Sequence, residues 1–183
     1  MNLPNYLTLF RILLIPVFFT LLVTSGHGQD GRVFWALIVF VIASLTDALD
    51  GLIARLAHQR TTLGTFLDPI ADKLLLLSGY LGIIFVSNLP YQPPRWITAA
   101  IVLREFVIVV GIIVIYAVTR KVTAVEPHWT GKVTTFFQMT GLIAILLKYS
   151  LAIWLWYMTA VFTIFSGAVY VHRGIRALQK GTL

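Results

Sequence analysis

The sequence predicts an all-α integral membrane protein with six transmembrane helices in a single domain, residues 1–183. Hydrophobic residues make up 58% of the chain and charged residues only 11%, and long apolar runs recur along its whole length. Soluble proteins carry about 25% charged residues. A soluble chain of this composition would lack the polar surface that water requires, so we expect much of the apolar surface to contact lipid.

The apolar runs are long enough to be membrane spans. A span needs about 20 mostly apolar residues, because the hydrocarbon core is about 30 Å thick and a helix rises about 1.5 Å per residue. Irregular backbone would lose its hydrogen bonds in lipid, which favours helices. The predicted spans are Leu7–Thr24, Val33–Ile53, Pro69–Asn88, Arg95–Thr119, Lys132–Lys148 and Leu151–Tyr170. We expect Met1–Tyr6 to be a short interfacial segment and Lys148–Ser150 to close a tight hairpin.

Lysine and arginine are concentrated in alternate loops, which predicts that both termini are cytoplasmic. The residues on that side are Arg11, Arg55, Arg60, Arg120, Lys121, Lys132, Arg173, Arg176 and Lys180, against Arg32, Arg95 and Lys148 on the other. The net charge of +7 therefore fits anionic lipid headgroups better than nucleic acid. The chain has no cysteine, which excludes disulfides and thiol nucleophiles.

Four aspartates lie near the predicted cytoplasmic ends of spans two and three, although the chain has only 7 acidic residues. They are Asp47, Asp50, Asp68 and Asp72. Each charge costs roughly 2.5–3.5 kcal/mol inside a membrane helix, so a positive partner is expected. Spacings of three and four place each pair on one helix face. Oxygen ligands alone indicate Mg²⁺, Mn²⁺ or Ca²⁺.

Other interpretations of these aspartates are open. Asp68 followed by Pro69 is typical of a helix start, where the aspartate is the N-cap. A simple ion pair of Asp50 with Arg55 is another interpretation. Carboxylates inside a membrane protein also mark ion or proton transporters, although no inverted repeat is visible. Gly64 suits a loop conformation that other residues resist.

These residues spell Asp47-x-x-Asp50-Gly51-x-x-Ala54-Arg55, then eight residues, then Gly64-x-x-x-Asp68-x-x-x-Asp72. The pattern is similar to the signature of the CDP-alcohol phosphotransferase family, and the six-span layout resembles that family as well. The opening segment from Asn2 to Thr8, with Arg11-Ile12, looks like the start of phosphatidylglycerophosphate synthases. Arg104-Glu105 and Gly131-Lys132 add to this resemblance.

The resemblance implies transfer of a phosphatidyl group from CDP-diacylglycerol to an alcohol, with release of CMP. Asp47, Asp50, Asp68 and Asp72 would bind Mg²⁺ or Mn²⁺, as two ions, and Asp72 would also be the general base. Asp50, Gly51, Ala54, Arg55 and Gly64 would hold the nucleotide. A homodimer is implied too, in a bacterial inner membrane or its equivalent, with the active site on the cytoplasmic face.

Glycerol 3-phosphate is the leading acceptor, and its phosphate needs basic residues. The candidates are Arg104, Arg120, Lys121 and Lys132. A structural pair of Arg104 with Glu105 is the alternative role for that arginine. Ile112 stands where such synthases usually have an arginine, and Val133-Thr134 follows Lys132 where Lys-x-Lys-Thr is usual. The stretch Glu126 to Lys132 resembles eukaryotic-type cardiolipin synthases, whose acceptor is phosphatidylglycerol. Inositol phosphate, serine and other alcohols are further alternatives.

Overall fold

The computed structural model describes residues 3–25, 30–56, 62–87, 89–119 and 129–181. Their regular structure is entirely helical, which confirms the all-α fold class. The helices are α1 (Leu3–Thr24), α2 (Asp30–Leu56), α3 (Thr62–Ile83), α4 (Arg95–Thr119), α5 (Trp129–Leu146) and α6 (Ala152–Gly181). Each predicted span overlaps one helix, although the bounds differ. Helix α1 is continuous from Leu3, so the described part of the predicted interfacial segment is not a separate element.

Two of the described helices are long and apolar enough to cross a membrane. They contain the windows Tyr6–Thr24 and Arg95–Val114, and a shorter apolar helix runs from Ala152 to Gly167. Only 22% of the residues in the first of these apolar segments and 33% of those in the second are buried within the protein. Large apolar side chains such as Leu13 and Leu103 are exposed, as expected of a surface that contacts lipid. Six spans and cytoplasmic termini stay predictions.

Helix α3 begins at Thr62, about two turns before the predicted start of the third span at Pro69. Asp68 and Pro69 therefore lie inside the helix, and the interpretation of Asp68 as an N-cap is wrong. Gly64 lies in the same helix, so its assignment to a loop is wrong as well. Pro69 removes one backbone donor from α3. The helix nevertheless continues through Pro69, and Asp68 has a tertiary partner, described below.

The first compact unit, Met1–Pro90, contains α1, α2 and α3. Helix α1 packs against both of the others, whereas α2 and α3 contact each other at only a few of the described residues. Phe18 and Phe40 join α1 to α2, with ring centroids 5.3 Å apart. Gly82 brings α3 close to α1, because a Cβ at that position would stand 2.7 Å from Cδ1 of Leu22. Helix α1 is therefore the element on which this unit is assembled.

The second compact unit, Tyr91–Leu183, contains α4, α5 and α6. Here α6 packs against both α4 and α5. Phe137 on α5 stacks on Phe162 of α6, with ring centroids 5.3 Å apart and planes within 9° of parallel. Helix α6 takes the central position that α1 has in the first unit.

The turn between α5 and α6 confirms the predicted tight hairpin. Lys148 has a positive φ of 57°, a left-handed conformation that costs a non-glycine residue energy. The backbone N–H of Tyr149 donates to the carbonyl of Ala144 at 2.9 Å, and that of Lys148 donates to Ile145 at 3.0 Å. This pair of bonds is the Schellman arrangement that ends many helices, usually with glycine at the left-handed position.

We predict that Lys148→Val is less stable than Lys148→Gly by about 1–2 kcal/mol, because a branched side chain raises the cost of the left-handed conformation and glycine removes it. Both variants delete the ammonium group, so the difference between their free energies of unfolding reports the cost of the left-handed backbone conformation. Thermal unfolding of the two purified variants in detergent measures it. Equal stabilities would show that the turn tolerates a side chain freely.

Candidate active site

Thr8 and Arg11 are two polar side chains of α1 that share one face because they are three residues apart. Arg11 is fully buried and Thr8 is 1% exposed. Both belong to the apolar window Tyr6–Thr24. A buried guanidinium is costly without a partner of opposite charge, so its partner is central to the arrangement of the unit.

The partners of these two side chains are aspartates of the signature. Nη1 of Arg11 lies 2.6 Å from Oδ1 of Asp47 on α2. The hydroxyl of Thr8 donates a hydrogen bond of 2.6 Å to Oδ1 of Asp68 on α3. One face of α1 therefore contacts one carboxylate from each pair. The sequence analysis used Arg11 only for topology and resemblance. The signal it missed was an arginine in the middle of an apolar run.

The remaining signature residues continue along the same two helices. Asp72 lies one turn after Asp68 on α3 and is half-buried. The backbone of α2 runs helically through Asp50, Gly51, Ala54 and Arg55, whose side chains lie outside the described residues, as does that of Gly64. Among the side chains that are described, no group of three His, Cys, Asp or Glu is close enough to hold a metal ion. The four-aspartate centre stays a prediction.

The donor chemistry of the described aspartates fits a divalent cation. Asp47 and Asp68 offer carboxylate oxygens, which Mg²⁺ and Mn²⁺ prefer in proteins. The side chain of Asp47 is 37% exposed although Arg11 beside it is fully buried. One side of this carboxylate therefore faces the protein and the other is accessible to a ligand.

A second polar cluster lies in the unit of α4, α5 and α6. Arg104 and Glu105 are both buried, and Nη1 of Arg104 donates to Oε1 of Glu105. The same Oε1 accepts from Nε2 of Gln138 on α5 at 2.8 Å. Nη2 of Arg104 donates to the hydroxyl of Ser166 on α6 at 2.9 Å. The cluster links all three helices of the unit.

The structural pair of Arg104 with Glu105, the alternative in the sequence analysis, is thus present. Its guanidinium charge is compensated by the neighbouring carboxylate. Gly131 lies against it, since a Cβ there would stand 3.8 Å from Nη2, and the next residue, Lys132, is exposed. A role of Arg104 in acceptor binding stays a prediction. Arg120 and Lys121, the other candidates, lie outside the described residues.

The profile of the CDP-alcohol phosphatidyltransferase family matches residues 1–165. The chain belongs to this family. The family that the aspartate signature predicted is therefore confirmed, and with it an enzyme class: the chain is a CDP-alcohol phosphatidyltransferase. Members of the family generally use divalent metal ions, in agreement with the donor chemistry of Asp47 and Asp68.

Curated relatives match this CDP-alcohol phosphatidyltransferase over nearly its whole length. The Bacillus subtilis CDP-diacylglycerol--glycerol-3-phosphate 3-phosphatidyltransferase is 35% identical over 198 residues, which cover 97% of each chain. The Escherichia coli K12 protein of the same name is 34% identical over 180 residues, or 93% of each chain. A Mycobacterium tuberculosis protein named probable phosphatidylglycerophosphate synthase is 34% identical over 182 residues, which cover 96% of this chain and 82% of the relative.

We predict that Glu105→Leu lowers the free energy of unfolding by about 3–5 kcal/mol, because it leaves the buried Arg104 without its carboxylate. Adding Arg104→Met removes the uncompensated charge, so the double variant regains most of the loss. Unfolding in detergent measures both. A double variant as unstable as the single one would show that the packing of Glu105, and not its charge, stabilises the unit.

Proposed function

We propose that this chain is a multi-pass membrane enzyme that transfers a phosphatidyl group from CDP-diacylglycerol to glycerol 3-phosphate and releases CMP. The observation that carries this proposal is the near-full-length similarity to relatives named for that donor and acceptor. The complete aspartate signature, from Asp47 to Asp72, supports it. A transporter is no longer a useful alternative, because the family is one of transferases.

The reaction forms and breaks one bond at the same phosphorus. The hydroxyl oxygen of the acceptor bonds to the phosphorus next to diacylglycerol, and the bond from that phosphorus to the bridging oxygen breaks. CMP leaves with that oxygen and the electron pair, and the hydroxyl proton passes to a base. We assign the base to Asp72, which lies on the helix that also carries Asp68. The product is phosphatidylglycerophosphate.

The other signature residues would position the donor. Asp47, Asp50, Asp68 and Asp72 would hold Mg²⁺ or Mn²⁺, as two ions, which when bound neutralise phosphate charge. Gly51, Ala54, Arg55 and Gly64 would hold the cytidine diphosphate together with Asp50. Placing the site at the cytoplasmic membrane face allows the acyl chains to stay in lipid while the acceptor enters from water. The homodimer implied by the family resemblance is part of the proposal.

Release of CMP tests the transferase directly. We expect the purified protein with Mg²⁺ or Mn²⁺ to release CMP from CDP-diacylglycerol when glycerol 3-phosphate is present. Asp72→Asn should reduce the rate by roughly 10²–10⁴-fold, because a general base contributes about that factor. Asp30→Asn, outside the signature, is the matched control and should keep the wild-type rate.

Parallel reactions with phosphatidylglycerol and without an acceptor identify the substrate. Phosphatidylglycerol is included because Ile112 and Thr134 depart from the arrangement usual for glycerol 3-phosphate. Release with phosphatidylglycerol alone would replace the proposed acceptor by the one used by cardiolipin synthases. Folded protein that releases no CMP with any alcohol would refute the transferase itself.

Lys132 is the exposed, described candidate for the acceptor phosphate. We predict that Lys132→Gln raises the KM for glycerol 3-phosphate about tenfold or more with little change in kcat, because a hydrogen bond to a charged group contributes about 1.5–3 kcal/mol to binding. Lys148→Gln, on the opposite predicted face, is the control. An unchanged KM would remove Lys132 from the acceptor site.

A further inference from the structure

One signature aspartate, Asp47, contacts a cation that the protein itself supplies. Arg11 is among the largest fully buried side chains in the described part of the chain, and its guanidinium contacts Asp47 at 2.6 Å. An arginine inside an apolar helix is expensive unless it is paired. The pair therefore stabilises both partners, and it does so at a residue assigned to metal binding.

The second contact of α1 differs in kind. Thr8 donates a neutral hydrogen bond to Asp68, which orients that carboxylate without cancelling its charge. Among the residues that the structure describes, α2 and α3 have few direct contacts, and α1 packs on both. The approach of the two aspartate pairs is consequently controlled from α1, with Thr8 fixing position and Arg11 supplying charge.

We propose that Arg11 is a built-in counter-ion of the metal centre, which holds Asp47 in place and neutralises it when no metal is bound. This inference rests on the proposed metal site. Without Arg11 the charge of Asp47 would be uncompensated, and the protein would be less stable unless a divalent ion were bound. With Arg11 present, the enzyme is stable while the site exchanges its ion.

The positive charge of Arg11 stabilises the metal-free protein, but it weakens the binding of a metal ion. A guanidinium within a few ångströms of a bound cation repels it, and at the dielectric of a partly exposed site this repulsion lowers affinity by roughly tenfold or more. Arg11 is thus a positioning residue that exchanges metal affinity for stability in the metal-free state. Removing it should tighten metal binding, the reverse of what the loss of a ligand does.

The test compares Arg11→Met with Arg32→Met in the full-length protein in detergent. Arg32 is a matched control, because its Nη1 donates to the backbone carbonyl of Thr24 at 3.1 Å and not to an aspartate. The unfolding temperature is measured in EDTA and in saturating Mn²⁺, and Mn²⁺ affinity is measured by calorimetry. Arg11→Lys, which keeps the charge, tests rescue.

We expect Arg11→Met to lower the unfolding temperature by roughly 10 °C in EDTA, to regain most of that loss in Mn²⁺, and to bind Mn²⁺ about tenfold more tightly. Arg11→Lys should behave more like the wild type. Arg32→Met should lose the same amount in both conditions. If Arg11→Met does not fold in EDTA, Arg11→Met with Asp47→Asn, which removes both charges, should fold there.

Three results would overturn the inference. The first is Mn²⁺ affinity in Arg11→Met that is unchanged or weaker than in the wild type. The second is a loss of stability that Mn²⁺ does not reverse. The third is a double variant that fails to fold in EDTA. A wild-type protein that does not respond to Mn²⁺ at all would instead refute the proposed metal site, and the counter-ion role with it.

Discussion

The ion pair between Arg11 and Asp47 is the interaction on which the first unit depends. A fully buried guanidinium in an apolar helix restricts every neighbour, because its carboxylate partner must stay within contact distance. That requirement holds α2 against α1 at the signature. The hydrogen bond from Thr8 to Asp68 does the same for α3. The residues assigned to catalysis are thus also residues that hold the unit together.

The second unit also contains a buried arginine, whose charge is compensated in a different way. Its buried arginine, Arg104, pairs with the adjacent Glu105, and Gln138 and Ser166 complete the hydrogen bonds from α5 and α6. The charge there is balanced within one helix, whereas in the first unit it is balanced between two helices. An ion pair between neighbouring residues of one helix is suited to a structural role. A pair that spans two helices can respond when another cation arrives.

Much of the fold follows from the sequence, because apolar runs of span length leave few alternatives to helices. The hairpin at Lys148 was predictable from the short polar break between two such runs. The start of α3 was not, because Asp68-Pro69 has the local chemistry of a helix start, whereas the helix begins at Thr62. The signature identified the family, and it predicts that α2 and α3 carry the catalytic residues. The signature gave no indication that α1 contacts its aspartates, since Thr8 and Arg11 precede the signature and their roles depend on packing.

The contacts between α1 and α3 have a consequence for axial register. Thr8 meets Asp68, and Leu22 meets Gly82, so the two contacts are 14 residues apart along each helix, or about 21 Å at 1.5 Å per residue. The two helices run parallel, and the spacing between the two contacts is the same along each of them. A single residue inserted between Thr8 and Leu22 would turn one end about 100° away from its partner. The length of this segment is therefore set by the distance between two contacts.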